Sequence, residues 1–306
     1  FNILGHYQPN ITEALCIQDE VSKEILAKNF KSISNSWDTA LSYIVPTTTK
    51  NTVDLLVGSP PCIGLSRANP KSGKEHVANK NILRFGKAVA TMQPKNFLME
   101  MVPQLLTKGY TLFRDFKRML NGSYLFSFTQ LEASKYGAAQ IRDRLYIFGR
   151  RIDQPHVADP LFTLPEQLSR SIGDVVPNLM TEFYDKYRPD NRIMLKPFTR
   201  SGKLQVGPYS VLGTEKKRAR RTLTRKDVAF TVTGFAYCNM LYRTAENLER
   251  FFAIPEIQCI MGFPVTYKFP DKNIGKVCRM IASGVDIKFA THLLNHIKEL
   301  DNEQRK

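Results

Sequence analysis

The stretch VDLLVGSPPCIGLSRANP, residues 53–70, sets a continuous apolar run against two prolines, a cysteine and a polar loop. An unbroken apolar segment of this length suits a strand buried on both faces, as in a parallel sheet flanked by helices. The prolines end it abruptly and hold Cys62 on a stiff mount. On these residues alone Cys62 reads first as a small buried hydrophobe and only second as a nucleophile.

Outward from this strand the pattern alternates. EALCIQ reads as a strand, DEVSKEILAKNF as a helix, NILRFGKAVATM as a helix, KNFLMEMV as a strand and TLFRDFKRML as a helix. YLFSFTQLEA and DRLYIFGRR read as strands. Such alternation predicts βαβ units, an α/β fold and a mostly parallel sheet, with ligands at the carboxyl ends of its strands. Cys62 and Glu100 both fall at such ends. After Arg151 the chain is rich in Pro, Gly and basic residues with interleaved aromatics, the texture of a smaller loop-rich domain. Regular structure returns near residue 222 and ends in VDIKFATHLLNHIKEL. The expected division is a catalytic domain over 1–151, a recognition domain over 152–233 and a return to the first domain over 234–306.

The chain of 306 residues carries 44 Lys and Arg against 28 Asp and Glu, a net charge of +16. Thirteen basic and four acidic residues lie within 181–226. A positive field concentrated in this way favours a polyanionic partner, most simply nucleic acid, with KKRARR at 216–221 as its densest patch. The alternatives are a solubilising surface or a localisation signal. No apolar run reaches the roughly 18 residues of a membrane span. Five scattered cysteines (16, 62, 238, 259, 278) without a C-x-x-C pair argue against a disulfide framework or a metal site, and suit a reducing compartment.

Four pieces carry chemistry: Pro60-Pro61-Cys62; Glu100 ending an apolar strand; Gln140, Arg142 and Arg144 in YGAAQIRDRLYIFG; and RFFAIPEIQCIMGFP with the later ASGVD. The alternate spacing of Arg142 and Arg144 predicts that both guanidiniums point the same way. In this order the pieces resemble C5-cytosine DNA methyltransferases. The family's P-C-Q-x-F-S corresponds to Pro61-Cys62-Ile63-Gly64-Leu65-Ser66, its E-N-V to Glu100-Met101-Val102, and its Q-x-R-x-R to Gln140, Arg142 and Arg144. Its R-x-L-T-x-x-E and G-F-P correspond to Arg250, Glu256 and Gly262-Phe263-Pro264.

The resemblance implies a Rossmann-like methyltransferase sheet, S-adenosylmethionine as methyl donor, and a cytosine flipped from the duplex. Cys62 would add to carbon 6 of the ring, Glu100 would supply the hydrogen bond or proton at ring N3, and Arg142 and Arg144 would offer forked donors to the base carbonyl and a phosphate. It also implies a donor site including Asp38, Pro60, Ser283 and Val285, and DNA contacts from Ser66, Lys216, Lys217, Arg218, Arg220 and Arg221. The implied location is the cytoplasm for a bacterial or phage-encoded enzyme, or the nucleus for a eukaryotic one.

Three departures stand out. The family's Gly-rich donor loop has no counterpart in the sequence, and by spacing would precede Phe1. The position of its ribose-binding acid holds Ile17, and its final G-N-x-V-P reads Ala282-Ser283-Gly284-Val285-Asp286. An N-terminal segment or a partner chain is therefore expected to complete the donor site. A partner-dependent or catalytically incompetent DNA-binding relative, and an RNA cytosine-C5 methyltransferase, stay open as alternatives.

Overall fold

The computed structural model describes residues 53–60, 64–65, 79–176, 196–197, 221–236, 240–243, 248–264, 266–269 and 274–303. The expected strand EALCIQ and helix DEVSKEILAKNF, together with Asp38, Cys62, Ser66 and the basic residues 216–220, lie outside them.

The centre of the first sheet is β2 (Asn96–Met101), and all six of its residues are buried. Phe97, Met99 and Met101 point to one face, where they meet Ile82, Phe85 and Val89 of α1 (Lys80–Met92) and Phe113 and Phe116 of α2 (Tyr110–Leu120). Leu98 points to the other face, into a cluster with Tyr146, Phe148 and Phe289. β1 (Leu55–Gly58) runs parallel to β2, in register from Leu55↔Asn96 to Gly58↔Met99, with α1 as the crossover. The apolar positions of α1 recur at the i, i+3, i+4, i+7 spacing of an inward helix face. The helix stops at Gln93, whose positive φ of 49° turns the chain toward Pro94.

From β2 the chain passes through α2 to β3 (Tyr124–Glu132), then by a short link that includes β4 (Gln140–Ile141) to β5 (Asp143–Arg151). β5 inserts between β2 and β3, antiparallel to both, so the order is β1-β2-β5-β3. The α/β pattern predicted from the sequence is present, and among the described residues the sheet is mixed, with one parallel and two antiparallel pairings. The link from Ala133 to Arg142 carries no helix long enough for a crossover, so the returning strand reverses direction.

Two short helices follow, α3 (Pro160–Thr163) and α4 (Ile172–Val175). Leu161 and Leu164 join the Phe289 cluster, so this segment packs on the first sheet's core. A second sheet is built from β6 (Lys196–Pro197), β7 (Arg221–Leu223), β9 (Met240–Arg243) and β10 (Leu248–Phe251), in the order β6-β10-β9-β7. It takes strands from both sides of residue 233. Between them, β8 (Ala229–Phe230) pairs with β4 in a separate two-stranded sheet, tying the chain back to the link that leads into β5. Helices α5 (Ile254–Ile260), α6 (Ile274–Ser283) and α7 (Ile287–Glu303) complete the fold. α7 lays Phe289 against Tyr146 and Tyr136.

The first sheet leaves little room for change opposite Phe97, whose ring touches those of Phe85, Phe116, Tyr124 and Phe126. Gly149 faces it across β5, and a Cβ there would stand 2.0 Å from Phe97 Cε1. A ring wedged by four others cannot swing aside. Gly149→Ala is expected to lower stability by about 1–3 kcal/mol, read as a fall in denaturation midpoint with the same slope.

Candidate active site

Glu100 is the one charged residue of β2, and it is only 7% exposed. Its partners follow from strand register. Carried one step past Gly58↔Met99, the parallel pairing places Ser59 across from Glu100, and the Ser59 hydroxyl donates to Glu100 Oε2 at 2.5 Å. On the opposite side β5 pairs Tyr146 with Glu100, which makes Arg144 the diagonal neighbour on the same face. Arg144 Nε stands 3.0 Å from Glu100 Oε1. The carboxylate is thus held from both flanking strands, as a charge in so apolar a strand requires. The Arg144 side chain remains 17% exposed and reaches the rim of the site. Burial, with the Glu100 carboxylate beside it, pushes the Tyr146 phenol well above its ordinary value.

Arg142 takes a different course. Its guanidinium donates to the carbonyls of Val232 (3.4 Å), Ala282 (3.2 Å) and Gly284 (2.7 Å), and the residue is 3% exposed. Its Nε has no hydrogen-bond partner among the described residues. Burial, followed by the nearby Arg144 charge, pulls its pKa down to about 10, against the opposing pull of Glu100. The two arginines share a neighbourhood, but they do not extend in one direction. The β-ladder breaks at Arg142, between β4 and β5, and frees that side chain from the strict alternation of a strand.

Gln140 works beside Arg142. Its Oε1 accepts from Val232 N–H at 3.1 Å, and its Nε2 donates to Asp286 Oδ2 at 2.8 Å. Asp286 Oδ1 in turn accepts from Phe289 N–H at 3.1 Å, the N-cap contact of α7. Burial raises the Asp286 carboxyl above its ordinary value, with the bonds from Phe289 and Gln140 pulling the other way. Sequence reasoning singled out neither Ser59 nor Asp286 nor Tyr146. An Asp directly ahead of the apolar-periodic IKFATHLLNHIKEL is a readable cap signal; the other two follow only from register.

The donor-side residues fall in two places. Leu55 and Val57 lie on one face of β1, two residues apart. Leu55 packs against the cluster of Val285 and Phe289, whereas Val57 is 41% exposed. The carboxyl end of β1 therefore projects beyond the cover of α7 as an apolar ledge, with buried Pro60 closing it. Such a ledge fits the flat heterocyclic end of S-adenosylmethionine. Val285 is buried at the edge of the same cluster, and the Ser283 hydroxyl donates to Met280 O at 2.8 Å within its own helix. Arg221 opens β7. Among the described residues no group of three His, Cys, Asp or Glu is placed to hold a metal, and no helix is long and apolar enough to cross a membrane.

Known proteins resemble this chain in sequence and in fold. A family model described as C-5 cytosine-specific DNA methylase matches residues 14–299. The type II methyltransferase M.FnuDI of Fusobacterium nucleatum is 26% identical over 279 residues, which cover 83% of this chain and 78% of that protein. Type II methyltransferase M.NgoPII of Neisseria gonorrhoeae is 24% identical, covering 81% and 77%. Among solved structures, the Entamoeba histolytica methyltransferase EhMeth aligns with a TM-score of 0.64 at 17% identity, over 95% of this chain and 89% of its own. The S. pombe Dnmt2 methyltransferase aligns with a TM-score of 0.64 at 16% identity, over 95% and 92%.

The two cysteines among the described residues, Cys259 and Cys278, are buried thiols, and Cys278 Sγ donates to Thr233 O at 3.4 Å. Burial, then the Glu256 carboxylate, pushes the Cys259 thiol up to about 11. At pH 8, about three units lower, roughly one thiol in a thousand is thiolate. In the native protein Cys259 is expected to resist iodoacetamide at pH 8 and to react after denaturation, read by peptide mass. Rapid native labelling of Cys259 contradicts its inert, structural placement.

Proposed function

The chain belongs to the C-5 cytosine-specific DNA methylase family, and on that premise we propose that it methylates carbon 5 of a cytosine flipped out of duplex DNA, through a covalent adduct on Cys62. The observation that carries the reading is the Glu100 carboxylate held between Ser59 and Arg144 at the carboxyl end of β2. Ser59 precedes Cys62 by three residues, and three residues of chain span at most about 10 Å. A thiol is thereby tethered to a carboxylate and a guanidinium, the three groups that attack on a cytosine ring requires.

Carbon 5 of cytosine is a weak nucleophile until sulfur adds at carbon 6. The Cys62 thiolate forms that bond, and the ring electrons move toward N3. Glu100 meets them there with a proton or a strong hydrogen bond, so negative charge does not build on the ring. Arg144 fixes the carboxylate through Nε, donates from Nη1 to Asp143 O at 2.7 Å, and from the rim presents Nη2 toward the base carbonyl. Arg142 acts further back, holding the segments around Val232 and Gly284 in place. Once carbon 5 carries the methyl group, loss of its proton to water and departure of the Cys62 sulfur as thiolate restore the ring and free the enzyme.

S-Adenosylmethionine, the donor used in this family, supplies an electrophilic methyl on a sulfonium centre. Val57 and Pro60 would receive its heterocycle, with Asp38, Ser283 and Val285 assigned to the same side. Ser66 and the basic residues Lys216, Lys217, Arg218, Arg220 and Arg221 are assigned to the duplex. Their charge favours a partner whose binding weakens steeply with salt. The type II relatives support a role as the modification half of a restriction-modification pair.

Labelled S-adenosylmethionine offered with mixed-sequence duplex DNA, and in parallel with RNA of the same sequence, should place label on carbon 5 of cytosine in the DNA. Transfer to RNA alone, or to neither, overturns the reading. Glu100→Gln should lower kcat by about 100- to 10,000-fold while leaving duplex binding intact. DNA bearing 5-fluorocytosine should trap a covalent adduct. Its persistence in Cys62→Ala would assign the nucleophile elsewhere.

A further inference from the structure

Asp286 stands where the family's final motif ends in proline, and it is 1% exposed. Each of its oxygens has a separate task. Oδ1 caps α7 through Phe289 N–H, and Oδ2 receives the Gln140 amide. Gln140, fully buried, passes the connection on to Val232 N–H. Beside this relay, Arg142 grips the carbonyls of Ala282 and Gly284 with one hand of its fork and that of Val232 with the other. The result is a knot of three chain segments: the entry to β5, which carries Arg144; the strand end after β8; and the turn 282–286 between α6 and α7. A second line of packing runs the same way. Ile287 N–H donates to Met261 O, and Phe289 stacks on Tyr146, the cross-strand partner of Glu100.

A proline in place of Asp286 could neither cap the helix nor reach Gln140. We propose that Asp286 is a positioning residue that, through Gln140, locks the donor-side turn 282–285 to the strand carrying Arg144, so that the donor seat and the base-binding site form as one unit. This rests on the methyltransferase reading for what the turn binds, and on the geometry alone for the lock.

The two tasks of Asp286 can be separated. Asp286→Ser keeps an N-cap oxygen but is too short to reach Gln140. Asp286→Asn has one acceptor for two donors, so either the cap or the tie is lost. Pairing Asp286→Asn with Gln140→Glu restores both, because the new carboxylate accepts from the asparagine amide and from Val232 N–H. In Asp286→Ser, affinity for S-adenosylmethionine measured by equilibrium dialysis should fall on the order of tenfold, and the Val232 amide should lose hydrogen-exchange protection. The paired variant should recover both. If Asp286→Ser matches the wild type in both measurements, or if the paired variant recovers neither, the proposal is wrong. A wild-type protein that binds no donor sinks the methyltransferase reading instead. The Val232 exchange still decides the lock in that case.

Discussion

A carboxylate at the end of a strand buried on both faces is the constraint that the rest of the site answers to. β2 contributes five apolar or amide-bearing residues and one acid, all out of water. An unpaired Glu100 there would cost several kcal/mol, roughly the stability margin of a domain. β1 meets the demand with a hydroxyl that register alone places opposite. β5 meets it with a guanidinium on the diagonal. The sheet order β1-β2-β5-β3 is therefore a chemical matter as much as a topological one. With β3 beside β2 in place of β5, no arginine would face Glu100, since β3 carries none.

The same register argument explains how far the sequence could be read. Helices α1 and α2 and the strands β2, β3 and β5 announce themselves through apolar runs at helical or strand spacing, and the structure places them within a few residues of the expected bounds. Glu100 and Arg144 were legible as candidates because a charge ending an apolar strand and an R-x-R entering another are both conspicuous. The insertion of β5 was not, since nothing in a strand's own residues states which neighbour it pairs with. Ser59 was equally silent; its importance arises from lying one step beyond a pairing. The second sheet escaped detection for a different reason. Its strands run two to four residues, too short for any period to emerge.

Arg142 shows where period-2 reasoning stops being valid. Alternation fixes side-chain direction only while the backbone stays in the ladder, and the ladder is interrupted at this residue. A guanidinium released there can follow the strongest acceptors in reach. Those are backbone carbonyls at the end of α6 and in the adjoining turn, which a helix terminus leaves without intrahelical partners. Five donors on a rigid fork suit such a cluster better than a lysine's single ammonium would. The cation is stabilised by dipoles rather than by a counter-charge at contact distance, and burial accordingly weakens its hold on the proton. Two arginines two residues apart thus divide the work, one at the rim beside the carboxylate and one buried at the junction of three segments.

That division bears on the worn end of the sequence motif. A proline in the final turn would stiffen the chain locally, by fixing one dihedral. An aspartate stiffens nothing by itself and must recruit partners. Asp286 recruits two, and both belong to elements that also serve the reacting side of the site: α7 through Phe289, which stacks on Tyr146, and Gln140, two residues ahead of Arg142. Local rigidity has been exchanged for a longer-range tie. A turn held by its own covalent geometry keeps its shape whatever happens at β5, whereas a turn held through Gln140 shares the fate of the strand that carries Arg144. The departure from the family pattern is thus a change in how the two halves of the site are coupled, with the turn itself still held in place.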